Sequence, residues 1–212
     1  MDRTADFLAD FERHLRDGVA KLPAAVPDDA AIARMLVHAR TIYKWNATHN
    51  LTSLRSAKDY AEALFIDSWL VTAAYADFGG ATLVDVGSGG GFPGLVILAA
   101  HPTLPAILFE KVEKKRSFLA TAIAAMHFAH ATVSREPFPP AQPLPNGRRI
   151  FVSRATWAPQ EWLGIARGQA QPGDTIIVQA SQEPLPEGSD RAIEAALPFS
   201  QAKRRVGVYL HR

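Results

Sequence analysis

An apolar run, Ala81-Thr-Leu-Val-Asp-Val, ends in Gly87 and opens into Ser88-Gly-Gly-Gly-Phe-Pro-Gly94; no other stretch constrains the fold of this chain as tightly. A strand this largely apolar suits a parallel sheet covered on both faces. Such a strand ends in a turn where the backbone comes close to a ligand, and residues without a Cβ allow that approach. Gly87, Gly89 and Gly91 supply the room, and the next apolar run, Pro105-Ala-Ile-Leu-Phe, ends in an acid, Glu110.

Two ligands fit this pattern. Gly89-x-Gly91-x-x-Gly94 matches the dinucleotide fingerprint, with Glu110 near the spacing of a ribose-binding acid. Asp85, however, stands just before the glycines, where a carboxylate accepts from a ligand ammonium and repels a pyrophosphate. Pro93 falls where the following helix starts and has no N–H to offer, whereas pyrophosphate binding uses free N–H groups there. Both features favour S-adenosylmethionine, with Glu110 taking the two ribose hydroxyls. A nicotinamide cofactor is the second reading.

Upstream, Phe7, Phe11, Leu15 and Val19 or Leu22 recur at helical spacing over Thr4 to Lys21, and Pro23 and Pro27 end that segment. A second helix is expected from Asp29, as N-cap, to Trp45, and a third from Lys58 to Ala76 before Gly79-Gly80. From Ala81 the pattern changes to short β-rich runs alternating with helical ones. Strands are expected at 81–87, 105–110, 131–134, 149–153, 174–179 and 205–210, with helices at 93–101, 113–128 and 158–169. The last strands read as an antiparallel edge unless 189–197 is counted as a helix. Five prolines between Pro137 and Pro145 predict an irregular surface loop.

With 212 residues and 48% apolar content, the chain can bury a core without staples. It has no cysteine, which excludes disulfides, thiolate metal sites and cysteine nucleophiles. His38, His49, His101, His127 and His130 show no metal-ligand spacing and read as isolated surface or boundary histidines; no metal site is expected. Trp45, Trp69, Trp157 and Trp162 read as packing residues, with Trp45 and Trp157 close enough to motif residues to touch a base. No run approaches a membrane span, and Met1-Asp-Arg-Thr-Ala-Asp lacks the order of a secretory signal, so a cytoplasmic protein with no membrane partner is expected. Net charge is +2, but residues 1–30 carry seven acids against four bases and the remainder 14 against 19. Bases cluster at Lys111 to Arg116, Arg148-Arg149 and Lys203-Arg-Arg205, as solvated faces or as phosphate contacts.

Further strings belong with the glycine loop: Lys44-Trp-Asn46, Asn50-Leu-Thr-Ser53, Ile66-Asp-Ser68, Lys114-Lys115 with Phe118-Leu119, and Ser153-Arg-Ala155. Together with Asp85-Val-Gly-Ser-Gly-Gly-Gly-Phe-Pro-Gly94 they resemble the RsmG (GidB) family of methyltransferases, which methylate guanine N7 in 16S ribosomal RNA. The resemblance spans residues 44–155. It implies an α/β fold of the class I S-adenosylmethionine-dependent methyltransferase type, Rossmann-like, mostly parallel with helices on both faces. Residues 1–78 would form an N-terminal helical cap and 79–212 the cofactor-binding domain. It further implies that Arg154 faces the reacting centre, with Asn50 and Asp67 in the capping wall, the latter two also readable as cap or turn residues. The cofactor would lie against Asp85, Gly87, Ser88, Gly89, Gly91, Phe92, Glu110, Lys111, Arg135, Glu136 and Arg154. Lys114, Lys115, Arg148, Arg149, Lys203, Arg204 and Arg205 are the expected contacts to ribosomal RNA or the small subunit, and a monomer is expected.

The implied chemistry agrees with what the sequence lacks. Guanine N7 has an in-plane lone pair and no hydrogen, so no general base is needed, and positioning alone can supply about 7–11 kcal/mol of barrier reduction. Pyrimidine C5 methylation usually takes a cysteine; amino methylation usually takes an Asn/Asp-Pro-Pro-aromatic string, where this chain has Ser153-Arg154-Ala155. Ala63-Leu64-Phe65 stands where the family usually carries a basic residue and histidine, and Gln179 where it typically carries lysine. These departures leave open the acceptor nucleotide and also a relative that binds without transferring.

Overall fold

The computed structural model describes residues 3–212; Met1 and Asp2, the first residues of the expected cap and of the N-terminal signal reading, lie outside the described residues. Helix α1 (Arg3–Val19) buries Phe7, Phe11, Leu15 and Val19, the stripe its spacing predicts. Helix α2 (Asp29–His49) begins one residue earlier than expected in its capping: Asp28, not Asp29, is the N-cap and accepts from the Ala31 amide at 2.6 Å. Asp29 instead pairs with Arg16 on α1 at 2.9 Å. The third expected helix is three consecutive pieces: α3 (Ala57–Tyr60), a π-helical segment (Ala61–Ile66) and α4 (Asp67–Ala74).

Strands β1 (Thr82–Val86), β2 (Ala106–Phe109), β3 (Ala131–Ser134), β4 (Arg149–Ser153) and β5 (Thr175–Ala180) are parallel, and β6 (Arg191–Ala196) and β7 (Lys203–Leu210) are antiparallel to the neighbours they pair with. The spatial order is β3-β2-β1-β4-β5-β7-β6. Helices α5 (Gly94–Ala100), α6 (Glu113–Ala125) and α7 (Pro159–Arg167) make the crossovers. Segment 189–197, held open as a helix, contains strand β6, because pairing with β7 outweighs the helix preference of Glu194, Ala195 and Ala196.

The twofold period of the strands divides the core. Leu83, Ile150, Val152 and Ile177 point into an apolar cluster shared with the N-terminal helices, α5 and α6. Val84, Val86, Phe151, Ile176 and Val178 point to the opposite face, where Trp162 and Leu163 of α7 cover them. Phe65 joins the cap to the sheet: it meets Phe11 edge-on at 4.8 Å and Phe92 of the glycine loop at 5.1 Å. Such a ring contributes several kcal/mol, about 3–5 when truncated to alanine. The cap is thereby packed against the loop that the sequence singles out.

Candidate active site

The C-terminal ends of β1, β2 and β4 form one edge, because Val86 pairs with Phe109 on one side and Ser153 on the other. Open parallel sheets bind ligands at this edge. The chain leaves β1 through Gly87, at φ 73°, and a Cβ there would stand 2.2 Å from Thr156 Oγ1. The Gly87 and Ser88 amides donate to the Phe109 carbonyl, and Glu110 binds the loop from below: Oε2 accepts from the Gly89 amide at 2.9 Å and Oε1 from the Val112 amide at 2.8 Å. Each of these oxygens retains a lone pair.

Over this loop lies a cavity of about 560 Å³. Gly87, Ser88, Gly89, Phe92, Glu110, Lys111, Glu136 and Arg154, all among the sequence-derived candidates, are in its wall together with Lys115. Its volume is that of a small-molecule or cofactor site. A Cβ on Gly89 would meet only the Gly87 carbonyl, at 3.8 Å, so the backbone there opens into the space a ligand would take. Pro137 and Phe138 of the proline-rich loop line the far side, a role the sequence did not disclose.

Asp85 lies beneath the loop rather than in the cavity wall. It is fully buried, and its Oδ2 accepts from the Gly94 amide at 3.1 Å; a Cβ on Gly94 would strike that oxygen. Oδ1 has no partner among the described residues. Burial pushes this carboxyl up to about 7, opposed by hydrogen bonding from Ser88 and Gly94 and by the nearby Arg154 charge. Gly91 also turns away from the cavity, toward Leu95 and His38.

A second cavity, of about 650 Å³, adjoins the first. Arg154, Ala155, Thr156 and Trp157, just after β4, stand in the walls of both. Ala155 adopts φ 57°, a left-handed conformation that a residue with a side chain occupies at a cost of about 1–2 kcal/mol. Arg154 Nη1 donates to the Ala63 carbonyl in the π-helical segment at 2.7 Å and to Asp67 Oδ2 at 3.2 Å, and its guanidinium lies over the Phe92 ring. Burial lowers the Arg154 pKa from its ordinary value while Asp67 and Asp85 raise it, and a guanidinium stays charged throughout. Asp67 Oδ1 accepts from Arg204 Nε at 3.1 Å, so one carboxylate holds two arginines. Gln179 donates to the Asp67 carbonyl, and its buried Oε1 has no partner among the described residues.

Other expected site residues are elsewhere. Asn50 is exposed and left-handed at the C-terminus of α2, and Lys114 Nζ donates to the adjoining His49 carbonyl. Arg135 shares a shallow groove with Arg116, next to the cofactor-side cavity through Glu136. Lys203 is exposed, and Arg204 and Arg205 line the second cavity. The expectation that Arg148 and Arg149 meet RNA fails on geometry. Both sit at the opposite end of the sheet, where Arg149 pairs with Thr82 at the start of β1. Arg149 is buried, and Asp174 Oδ2 accepts from its Nε and Nη2 at 3.0 and 2.6 Å. The Arg148 guanidinium is spent on Asp77, Gly79 and Tyr75.

His38 is a further correction: it is wholly buried, not a surface or boundary residue, and its Nε2 lies 2.8 Å from the Gly90 carbonyl. Its position between Met35 and Ile42 on the buried side of α2 was the available signal. Trp157 stacks on Trp162 with centroids 5.7 Å apart while lining both cavities. Among the described residues no three His, Cys, Asp or Glu side chains are grouped to hold a metal, and no helix is long and apolar enough to cross a membrane.

Residues 31–189 match the family model described as GidB, rRNA small subunit methyltransferase G. The chain is 31% identical over 207 residues to the ribosomal RNA small subunit methyltransferase G of Burkholderia ambifaria (strain MC40-6), covering 92% of this chain and 90% of that protein. It is 30% identical over 217 residues to the protein of that name from Myxococcus xanthus (strain DK1622), covering 95% and 97%. Among solved structures, the mitomycin 7-O-methyltransferase MmcR superposes with a TM-score of 0.52 at 16% identity, over 88% of this chain and 74% of that one. The S-adenosylmethionine-dependent methyltransferase SibL gives 0.50 at 16% identity, over 97% and 70%. These two likenesses establish the α/β methyltransferase fold.

Proposed function

The chain belongs to the small-subunit ribosomal RNA methyltransferase G (GidB) family, and from that premise we propose that it transfers a methyl group from S-adenosylmethionine to guanine N7 of 16S ribosomal RNA. The observation that carries this reading is the wall of Arg154, Ala155, Thr156 and Trp157 common to two adjoining cavities. One cavity has the glycine loop and acid suited to the cofactor; the other has the cations suited to a nucleotide. When bound, the cofactor supplies an electrophilic methyl on a sulfonium.

The protein's own residues hold the partners. Glu110, already fixed by two amides, accepts the ribose hydroxyls with its remaining lone pairs. Lys111 and Glu136 bound the same cavity, and Asp85 fixes the loop and the start of α5 through the Gly94 amide. Arg154, held by Ala63 and Asp67, presents its guanidinium where the two cavities meet and orients the base. Guanine N7 has no proton to surrender, so these residues would need to supply in-line positioning, with the thioether left on the cofactor as the leaving group, rather than a general base. Lys115, Arg204 and Arg205 in the two cavity walls, with the exposed Lys203 beside Arg204 in the chain, neutralise RNA phosphates. Residues 1–78 act as the cap and 79–212 as the cofactor domain of a cytoplasmic, monomeric enzyme.

The test is incorporation of labelled methyl into purified small subunits and free 16S RNA, with nucleoside mapping. N7-methylguanosine is the expected product. Cofactor binding by calorimetry without incorporation would overturn transfer in favour of a binding-only relative; no cofactor binding would overturn the reading of the cavity itself.

A further inference from the structure

His38 belongs to the cap helix α2, yet it reaches into the loop that follows β1. Its Nε2 is 2.8 Å from the Gly90 carbonyl, its ring stacks on Phe92 with centroids 4.8 Å apart, and an added Cβ on Gly91 would stand 3.2 Å from Nε2. A carbonyl only accepts, so Nε2 carries the hydrogen and the ring is the donor. Nδ1 has no partner among the described residues. A buried imidazole with one nitrogen unserved is an expensive way to fill space that a leucine or phenylalanine would fill. What the histidine adds is the single bond to Gly90. Gly90 and Phe92 are both in the wall of the cofactor-side cavity, and Phe92 lies under the Arg154 guanidinium.

We propose that His38 is a positioning residue of the cofactor site: from the cap it donates Nε2–H to the Gly90 carbonyl and backs the Phe92 ring, holding the glycine loop in the shape that receives the cofactor. The proposal rests on the reading of that cavity as the S-adenosylmethionine site. It makes the cap part of the cofactor-binding apparatus, through a residue outside the glycine motif.

Two variants separate this role from packing. His38→Phe retains a ring against Phe92 and loses the donor; His38→Gln keeps an N–H at similar reach and loses the ring. With the full-length protein, His38→Phe is expected to raise the cofactor Kd and KM about tenfold, the upper range for one hydrogen bond, while kcat at saturating cofactor moves far less. His38→Gln is expected to recover most of the affinity. Should His38→Phe fail to fold, His38→Asn, whose amide is too short to reach Gly90, takes its place with the same expectation. A wild-type Kd in the variant without a donor, or equal weakening in His38→Gln, overturns the proposal, as does a lowered melting temperature with unchanged Kd. If the unaltered protein binds no S-adenosylmethionine, the cavity reading fails and takes this inference with it; if it binds and His38→Phe binds equally, only the inference fails.

Discussion

The two cavities on either side of the Arg154 wall are built in opposite ways. The cofactor-side cavity is built around a backbone loop: that loop follows one strand, its glycines are within five residues, and its acid follows the neighbouring strand. The second cavity is mostly side chains from distant segments: Ala63 and Asp67 from the cap, Arg154 after β4, Gln179 on β5, Arg204 on β7. One is specified by local conformation and the other by long-range pairing. A backbone site is expected to fail through steric insertion of a single methyl. A side-chain site is expected to fail by loss of a particular functional group while its neighbour keeps working.

Gly87→Ala gives the largest expected effect. The new Cβ would lie 2.2 Å from Thr156 Oγ1 and 2.9 Å from its Cγ2, at a φ that itself disfavours alanine. Either the loop or the shared wall must move, and cofactor affinity measured by calorimetry should fall by ~100-fold or more, equivalent to about 2.7 kcal/mol. Gly79→Ala, with nothing within 4 Å, is the control that should bind normally. Thr156→Gly in the Gly87→Ala background should restore part of the affinity, because it removes the atoms the methyl strikes. Normal binding by Gly87→Ala alone would break the comparison at its backbone side.

Arg154→Ala comes next and acts on the other side. Asp67 keeps Arg204, so that carboxylate retains one of its two ion pairs. Turnover should fall by about 100-fold while the cofactor Kd changes no more than about threefold, the pattern of an interaction made chiefly in the transition state. Single-turnover methyl transfer beside calorimetry measures both. If the Kd weakens as much as kcat falls, Arg154 belongs to the cofactor cavity alone and the shared-wall argument is lost.

The same contrast explains what could be read in the sequence. Strands β1 to β5 and the glycine loop were legible because local pattern and tertiary role agree: Leu83, Val84 and Val86 are apolar and buried, and the turn needs glycine where glycine stands. Strand β6 was not, since Arg191-Ala-Ile-Glu-Ala-Ala has no strand pattern of its own and gains one from β7. The π-helical segment and Asp67's grip on two arginines leave no trace in spacing, because partners 87 and 137 residues away create them. Arg149 misled for a related reason: beside Arg148 it looks like a phosphate contact, and only the fold brings Asp174 to bury it. His38 was hidden by composition, as a histidine among alanines and aliphatics on a helix whose buried side was otherwise recognised.

The smallest expected effect concerns stability, and it follows from how burial beneath the glycine loop favours the neutral forms of Asp85 and His38. Burial raises Asp85 from 3.8 to about 7 against hydrogen bonding from Ser88 and Gly94 and the Arg154 charge, with Glu110 acting in the same direction as burial. Burial lowers His38 from 6.5 to about 4 against its bond to Gly90. Between about pH 4 and 7 the folded chain keeps a proton on Asp85 that the unfolded chain has released, so this contribution to stability declines as pH rises through that window. Between about pH 4 and 6.5 the unfolded chain holds a proton that folded His38 refuses, so this contribution is lost as pH falls. The slopes are opposite and each is about 1.4 kcal/mol per pH unit, so over most of the range they cancel and the pair leaves a net change of only about 1 kcal/mol. Asp85→Asn removes one of them while keeping an acceptor for the Gly94 amide. Its stability relative to the unaltered protein, from urea unfolding at pH 4.5, 5.5 and 6.5, should therefore increase steadily with pH. A difference that stays constant across the three would mean that Asp85 is ionised in the fold. The region beneath the glycine loop would then hold charge by pairing, as Asp67 does between its arginines, and the distinction between the two sides would be lost there.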